Sequence, residues 1–194
     1  MIVTDRIGVI SRQKTDLPSA SSGPEGQRQR AKSLNRNEFF AAIIVHLRRR
    51  IPNHLYEFRH RANPMLLKID YGHERIHFEV WPDAMRRQIE IGLHFEDGPE
   101  STAAYLAYFD ARIVEIKHQL GPRIELERWT ASWGHIFELA DLEPLNHDFA
   151  RAVTDRLIAQ MTVLQPMVEE AAVPPEVRAD AATGRGKWAR RARR

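Results

Sequence analysis

Four side chains that can bind a metal ion fall in one stretch where apolar and polar residues alternate. They are His73, His77, Glu90 and His94. If residues 75–81 and 86–96 pair across a loop at 82–85, His77 lies opposite Glu90 and His73 opposite His94, all on one polar face. Imidazole and carboxylate groups are the ligands expected for zinc or another divalent ion. The pattern therefore offers a metal site, and with it the chemistry of a metal-dependent hydrolase.

The same residues also fit a purely structural interpretation. A solvated sheet face can be rich in histidine, and His77 opposite Glu90 would be a favourable cross-strand pair. A slip of one residue in the assumed register would move the side chains to the other face. We therefore expect no cofactor, and keep a divalent metal as the alternative.

Other catalytic signatures are absent from the sequence. Asp70 lies on a plausible strand, but the strands that follow lack the Glu/Asp-x-Lys motif that many metal-dependent nucleases have there. Glu115-Ile-Lys117 matches this motif but lies within a predicted helix. No glycine-rich phosphate loop, Gly-x-Ser-x-Gly elbow or HExxH motif occurs. There is no cysteine, so disulfides and thiolate metal sites are excluded.

Two further groups of side chains admit a functional and a structural interpretation. Glu125 and Glu127 alternate with apolar residues, with Glu138 on the next predicted strand; we expect these carboxylates to face water rather than to bind a metal. Trp129 and Trp133 bracket a tight turn, where exposure would suggest a partner surface. We expect the two rings to pack under the helices instead.

The positive charge of the chain is concentrated at its ends. Residues 1–36 hold seven Lys/Arg against three Asp/Glu, and residues 178–194 hold seven against one, whereas the whole chain carries only +3. The stretch between them is therefore acidic, which argues against a broad basic groove. The C-terminal segment surrounds one aromatic residue with cations, a composition that can bind nucleic acid: Arg185, Lys187, Trp188, Arg190, Arg191, Arg193 and Arg194.

Hydrophobic periodicity predicts the elements that position these residues. Helical spacing begins after a capping-box pair, Asn35 and Glu38, and predicts a helix over 37–51. Alternation over 55–96 predicts about four strands in an antiparallel meander. A second helix follows Asp97, two strands follow near 123–129 and 133–139, and a last helix covers 146–171. The fold class is thus α+β, an antiparallel sheet of five to six strands with three helices mainly on one face.

The predicted domain covers residues 35–172. Residues 1–34 and 173–194 are polar, basic and without apolar periodicity, and we predict that both are disordered tails. No apolar run is long enough for a membrane helix, and Asp5 and Arg6 interrupt the start of the chain, so we expect no signal peptide and a cytoplasmic location.

The run from Tyr105 to Glu170 resembles a bacterial module of unknown function that accompanies restriction-type or defence nucleases. The residues that carry the resemblance are Phe109-Asp110, Lys117, Leu120-Gly121, Leu126 and Trp129. His118-Gln119 departs from the Ile-Glu pair expected there. The resemblance covers about a third of the chain and implies an accessory role in nucleic-acid transactions, without an active site.

These observations lead to a binding module rather than an enzyme as the first expectation. In that hypothesis the acidic core contacts a protein partner or a second copy of the chain, and the basic tails contact nucleic acid. The alternatives are a metal-dependent hydrolase that uses His73, His77, Glu90 and His94, and a protein-interaction domain whose tails only keep it soluble.

Overall fold

The computed structural model describes residues 32–174 and contains one α+β fold. Its helices are α1 Arg36–Arg50, α2 Pro99–Asp110, α3 Ile113–Leu120 and α4 His147–Ala171, with a short 3₁₀ turn at Asn53–Leu55. Its strands are β1 Arg59–Ala62, β2 Leu67–Asp70, β3 Ile76–Asp83, β4 Gln88–Phe95, β5 Glu125–Arg128 and β6 Gly134–Asp141. The α+β class and the sheet size are as predicted.

Helix α1 begins where the capping box was predicted. Asn35 Oδ1 accepts from the backbone N–H of Glu38 at 3.0 Å, and the Glu38 carboxylate accepts from the Asn35 N–H at 2.8 Å. The helix ends at Arg50, because Ile51 takes an extended conformation before Pro52. The packed chain starts one residue before the predicted domain boundary, since Leu34 is buried and its N–H donates to the carbonyl of Leu145.

The six strands form one antiparallel sheet in the order β1-β2-β3-β4-β6-β5. One face of the sheet is apolar, and its strand residues join a single hydrophobic core with residues from all four described helices. The opposite face, called the polar face below, carries the histidines and glutamates of the central strands. The sheet thus separates a packed apolar core from a polar side-chain layer.

The prediction of three helices misses one break. The segment after Asp97 forms two helices, because the chain leaves helical geometry at Arg112 (φ −118°, ψ 5°) and restarts at Ile113. Within residues 32–174, no helix has both the length and the apolar composition required to cross a membrane.

Candidate metal centre

The register of the β3–β4 hairpin places histidine opposite histidine. His77 pairs with His94, and Trp81 pairs with Glu90. The predicted register, with His77 opposite Glu90, is wrong by four residues, because β3 continues through Pro82 to Asp83 and the turn lies at 84–87. Asp83 stabilises this later turn by accepting from the N–H groups of Met85 and Arg86. Since four is an even shift, His77, Glu90 and His94 still share the polar face.

His77 is held with one ring nitrogen satisfied and the other without a partner. Its Nδ1–H donates to the carbonyl oxygen of Glu74 at 3.0 Å, which fixes the tautomer because a carbonyl only accepts. Its Nε2 is buried and makes no hydrogen bond. This nitrogen lies 3.5 Å from Glu79 Oε2 and 3.9 Å from Glu96 Oε1. A buried lone pair thus points at two carboxylates.

Two glutamates complete a cluster with the two facing histidines. One ligand atom from each of His77, Glu79, His94 and Glu96 lies within 4.8 Å of all the others. We call these four residues the HEHE cluster. Ligands of a tetrahedral zinc ion lie about 3.4 Å apart, given bonds of about 2.1 Å. Some of these atoms would have to approach one another by up to about 1.4 Å to surround one divalent ion.

Lys68 supplies the positive charge next to these carboxylates. Its ammonium nitrogen lies 3.4 Å from Glu79 Oε2 and 3.2 Å from Glu96 Oε2. Lys68 comes from β2, directly opposite Glu79 in the ladder. The side chains of Lys68 and Glu96 are 23% and 24% exposed, so this end of the cluster reaches the surface.

A second group of buried side chains adjoins the cluster through His94. Glu90 Oε1 accepts from His94 Nε2 at 3.0 Å and from His135 Nδ1 at 3.1 Å. The His135 ring stacks on Phe137 at 4.0 Å and on Trp129 at 5.3 Å, measured between ring centroids. A carboxylate that orients a ligating histidine is the usual outer partner in metal sites. Glu90 is therefore better suited to hold His94 in place than to be a ligand itself.

The titration of two of these groups follows from their surroundings. Burial lowers the pKa of His77, and the Lys68 charge lowers it further, against the opposing effect of Glu79. Burial alone would raise the pKa of Glu90, but hydrogen bonds from His135 and His94 outweigh it and lower the pKa to about 2. A neutral imidazole is the form that metal coordination requires of His77, and an ionised Glu90 is the form that accepts from His94 and His135.

Of the four predicted ligands, the structure brings three together. His77, Glu90 and His94 lie in one connected group, whereas His73 lies outside it, with Nε2 3.4 Å from Asp97 Oδ2. Sequence reasoning missed Glu79, Glu96 and His135. A signal for the first two exists, since the tripeptide His-Phe-Glu occurs twice, at 77–79 and 94–96.

Of two other expectations about side-chain placement, one is wrong in part and one is wrong. Glu125 and Glu127 are exposed, as expected, but Glu138 is buried. Glu138 does not share a face with Glu125 and Glu127; it points into the helix side, where Arg156 binds both of its carboxylate oxygens. Trp129 and Trp133 are 51% and 46% exposed rather than packed under the helices. Asp70, the carboxylate compared above with the pattern of metal-dependent nucleases, is bound by the guanidinium of Arg59.

The remaining predicted site lies outside the described residues. It comprises Arg185, Lys187, Trp188, Arg190, Arg191, Arg193 and Arg194, so the nucleic-acid prediction stays a prediction. Comparison of the chain with family models, curated proteins and solved structures found no match.

Proposed function

We propose that the protein binds a divalent transition-metal ion at the HEHE cluster. The observation that carries the proposal is the buried Nε2 of His77, which makes no hydrogen bond and faces the carboxylates of Glu79 and Glu96. A lone pair that faces two anions is unfavourable, and either a proton on Nε2 or a cation between the groups relieves the repulsion. Because burial lowers the pKa of His77, the cation is the remedy we favour. A divalent ion removes that repulsion and uses all three groups as ligands.

The ligand types indicate which ions fit. Two imidazoles and two carboxylates suit zinc, and also manganese or iron, whereas a site without thiolate is unlike most structural zinc sites. If one of the four groups stays off the ion, or the ion takes a fifth ligand, a position is open for water, which the ion would activate as a Lewis acid. The activity class we propose is therefore metal-dependent hydrolysis. In this proposal Glu90 is a positioning residue, because it acts on the ion through His94.

The competing interpretation is a metal-free polar network. Lys68 already offsets part of the negative charge of Glu79 and Glu96, at 3.2–3.4 Å. The Lys68 ammonium makes no hydrogen bond to His77, however, and the Nε2 atom of His77 remains without a hydrogen-bond partner. The two interpretations therefore differ in whether the purified protein takes up metal.

The direct test is to measure metal content and metal affinity of the full-length protein. We expect stoichiometric zinc or manganese after purification, and a saturable calorimetric titration after chelation and dialysis. The double variant His77→Ala/His94→Ala should lose both signals. His118→Ala, an exposed histidine on α3, is the matched control and should retain them. Wild-type protein that takes up no metal would contradict the proposal.

Because the histidines are buried, the double variant needs a safeguard against misfolding. His77→Gln keeps an acceptor and a donor near the original positions, and circular dichroism reports whether the fold survives. A folded His77→Gln variant that binds zinc as tightly as wild type would also count against the site.

A second proposal, the binding module with nucleic-acid contacts through its tails, rests on composition and on two exposed tryptophans. Trp129 and Trp133, 51% and 46% exposed, are of the type that anchors protein interfaces. Full-length protein and a variant truncated to residues 32–174 should be titrated with DNA and RNA over a salt series. Binding with a steep salt dependence by the full chain alone supports the tail hypothesis. Absence of binding by both removes it.

A further inference from the structure

We propose that the pocket beside the HEHE cluster binds an oxyanion group of the substrate, and that it does so more tightly once the metal is bound. The inference rests on the proposed metal site and deepens it, since it names the chemical class of the substrate. The pocket has a volume of about 500 Å³, and its wall includes Arg61, Lys68, Arg75, Glu96 and Trp133. Glu96 belongs both to this wall and to the cluster, so the pocket adjoins the cluster at this residue.

Arg75 is the cation in this wall that is ready to bind an anion. Its guanidinium donates to the main-chain carbonyl of Glu96 at 3.1 Å, and among the described residues no carboxylate lies within ion-pair distance of it. Arg61, by contrast, is already held by Glu74 at 2.6 Å. Guanidinium groups bind phosphate and carboxylate through paired N–H donors. Arg75 therefore defines one side of an oxyanion site.

Lys68 links the oxyanion site to the metal. Its ammonium lies 3.4 Å from Glu79 Oε2 and 3.2 Å from Glu96 Oε2, the same carboxylates that the ion would use. These two carboxylates and Lys68 carry a net charge of −1, which a divalent ion changes to +1. The ion would repel Lys68 from the cluster, and this side chain already lines the pocket. Metal binding would thus add positive charge beside a wall that already carries three cations against two carboxylates, and would strengthen its attraction for an anion.

Trp133 suggests what the anion is attached to. Its ring is 46% exposed and belongs to the pocket wall. An exposed indole beside a cationic group favours a ligand that carries a flat apolar part next to its charge. The substrate class we infer is an organic phosphate or carboxylate rather than a free inorganic ion.

The test uses full-length protein and two aromatic anions that are not hydrolysed. Phenylphosphonate and benzoate are titrated with and without saturating zinc, with benzyl alcohol as the uncharged control, and binding is followed by calorimetry and tryptophan fluorescence. We expect at least one anion to bind about fivefold or more tightly with zinc present, the lower end of typical coupling between two sites. The stronger ligand identifies the group as phosphate-like or carboxylate.

Two variants separate this inference from a structural role of the same residues. Arg75→Gln should weaken anion binding and leave zinc affinity unchanged. Lys68→Met should weaken anion binding but strengthen zinc binding, because the lysine no longer competes with the ion for Glu79 and Glu96. Lys117→Met on α3, on the helix side of the sheet, is the matched control and should change neither.

The outcomes distinguish the inference from the proposal on which it rests. If zinc binds but neither anion responds to it, the oxyanion site is wrong and the metal site stands. If Lys68→Met lowers zinc affinity and anion affinity together, Lys68 is a structural support and the coupling is wrong. If zinc does not bind, both proposals fall, and the zinc titration alone reports that result.

Discussion

His77 and His94 are direct cross-strand partners, and their rings stack with centroids 5.6 Å apart. Each is the first residue of a His-Phe-Glu tripeptide, and in both copies the phenylalanine points into the core while the glutamate returns to the polar face. If the two tripeptides lay exactly opposite each other on antiparallel strands, each histidine would pair with the glutamate of the other tripeptide. Instead, His77 pairs with His94 and Glu79 pairs with Gly92. The offset is what gathers two imidazoles at the centre with a carboxylate on either side.

Zinc should stabilise the folded protein. A ligand that binds only the folded state adds about 2.7 kcal/mol at a free concentration of 100 times its Kd. Thermal unfolding with zinc and with a chelator measures the effect as a shift in Tm. The shift should vanish in His77→Gln and persist in His118→Ala. An equal shift in both variants would show that zinc binds elsewhere.

In the absence of metal, acidification should destabilise the protein through His77. Burial lowers the pKa of His77 in the folded state, so the unfolded chain takes up the proton first as the pH falls. The contribution of neutral His77 to the free energy of unfolding is fully present above the pKa of about 6.5 that this group has in the unfolded chain. It is lost as the pH falls toward the lower pKa of the folded state. Urea unfolding in chelator between about pH 8 and about pH 5 measures it. His77→Gln should flatten the curve over this range, and a curve unchanged by the substitution would contradict the prediction.

Glu90 should control a separate, more acidic window. Its pKa is lowered to about 2 by hydrogen bonds from His135 and His94, despite its burial. Its stabilising effect is therefore present above about pH 4.5 and is lost as the pH falls toward about 2. Glu90→Gln should reduce this acid dependence and also weaken zinc binding about tenfold to a hundredfold, the usual cost of losing an outer partner. Retained zinc affinity in a folded Glu90→Gln variant would show that His94 needs no such support.

Arg156→Met should destabilise the protein more than its partly exposed position suggests. Arg156 binds Glu138 through two contacts of 2.6 and 2.8 Å, and Glu138 is only 1% exposed. Removal of the arginine leaves a buried carboxylate without its main partner, at a cost of about 3 kcal/mol. The double variant Glu138→Leu/Arg156→Met should recover much of that loss. Denaturant unfolding of both variants tests this, and additive losses would contradict it.

Gly92→Ala should be poorly tolerated because of a close approach between strands. A Cβ at this position would lie 2.6 Å from Phe137 Cβ and 2.8 Å from the carbonyl oxygen of Ile136. Relief of such a clash requires the strands to move, so we expect a loss of roughly 1–3 kcal/mol. Gly134→Ala is the matched comparison, since its Cβ meets only the side-chain carbons of Leu106 at 3.0–3.1 Å. Equal losses in the two variants would show that strand separation is not the cause.

Local rules predicted the elements well, because their signals are contained in short segments. The capping pair Asn35 and Glu38 is an example, since both hydrogen bonds join residues three positions apart. Alternation likewise identified the residues of β3 and β4 that face the core. The break between α2 and α3 was not predicted, because no residue type that commonly ends a helix occurs next to Arg112.

The composition of the candidate site was harder to predict, because it depends on register and on distant contacts. The turn at 84–87 was placed too early, since Pro82 suggested a break that the strand does not make. His135 reaches Glu90 from a strand 45 residues further along the chain, and no local pattern connects the two. The exposure of Trp129 and Trp133 was also unpredictable, because it depends on which sheet face the β5–β6 turn adjoins.

All four side chains of the HEHE cluster come from one continuous segment, His77–Glu96, which is a single hairpin. Hairpins of this kind close in about 1–10 μs, well before distant strands find their partners. Assembly of the proposed ligands therefore does not wait for β6 or α4 to dock. An ion that binds to the hairpin during folding would fix the β3–β4 register first. The other strands would then pair with a hairpin whose register is already determined.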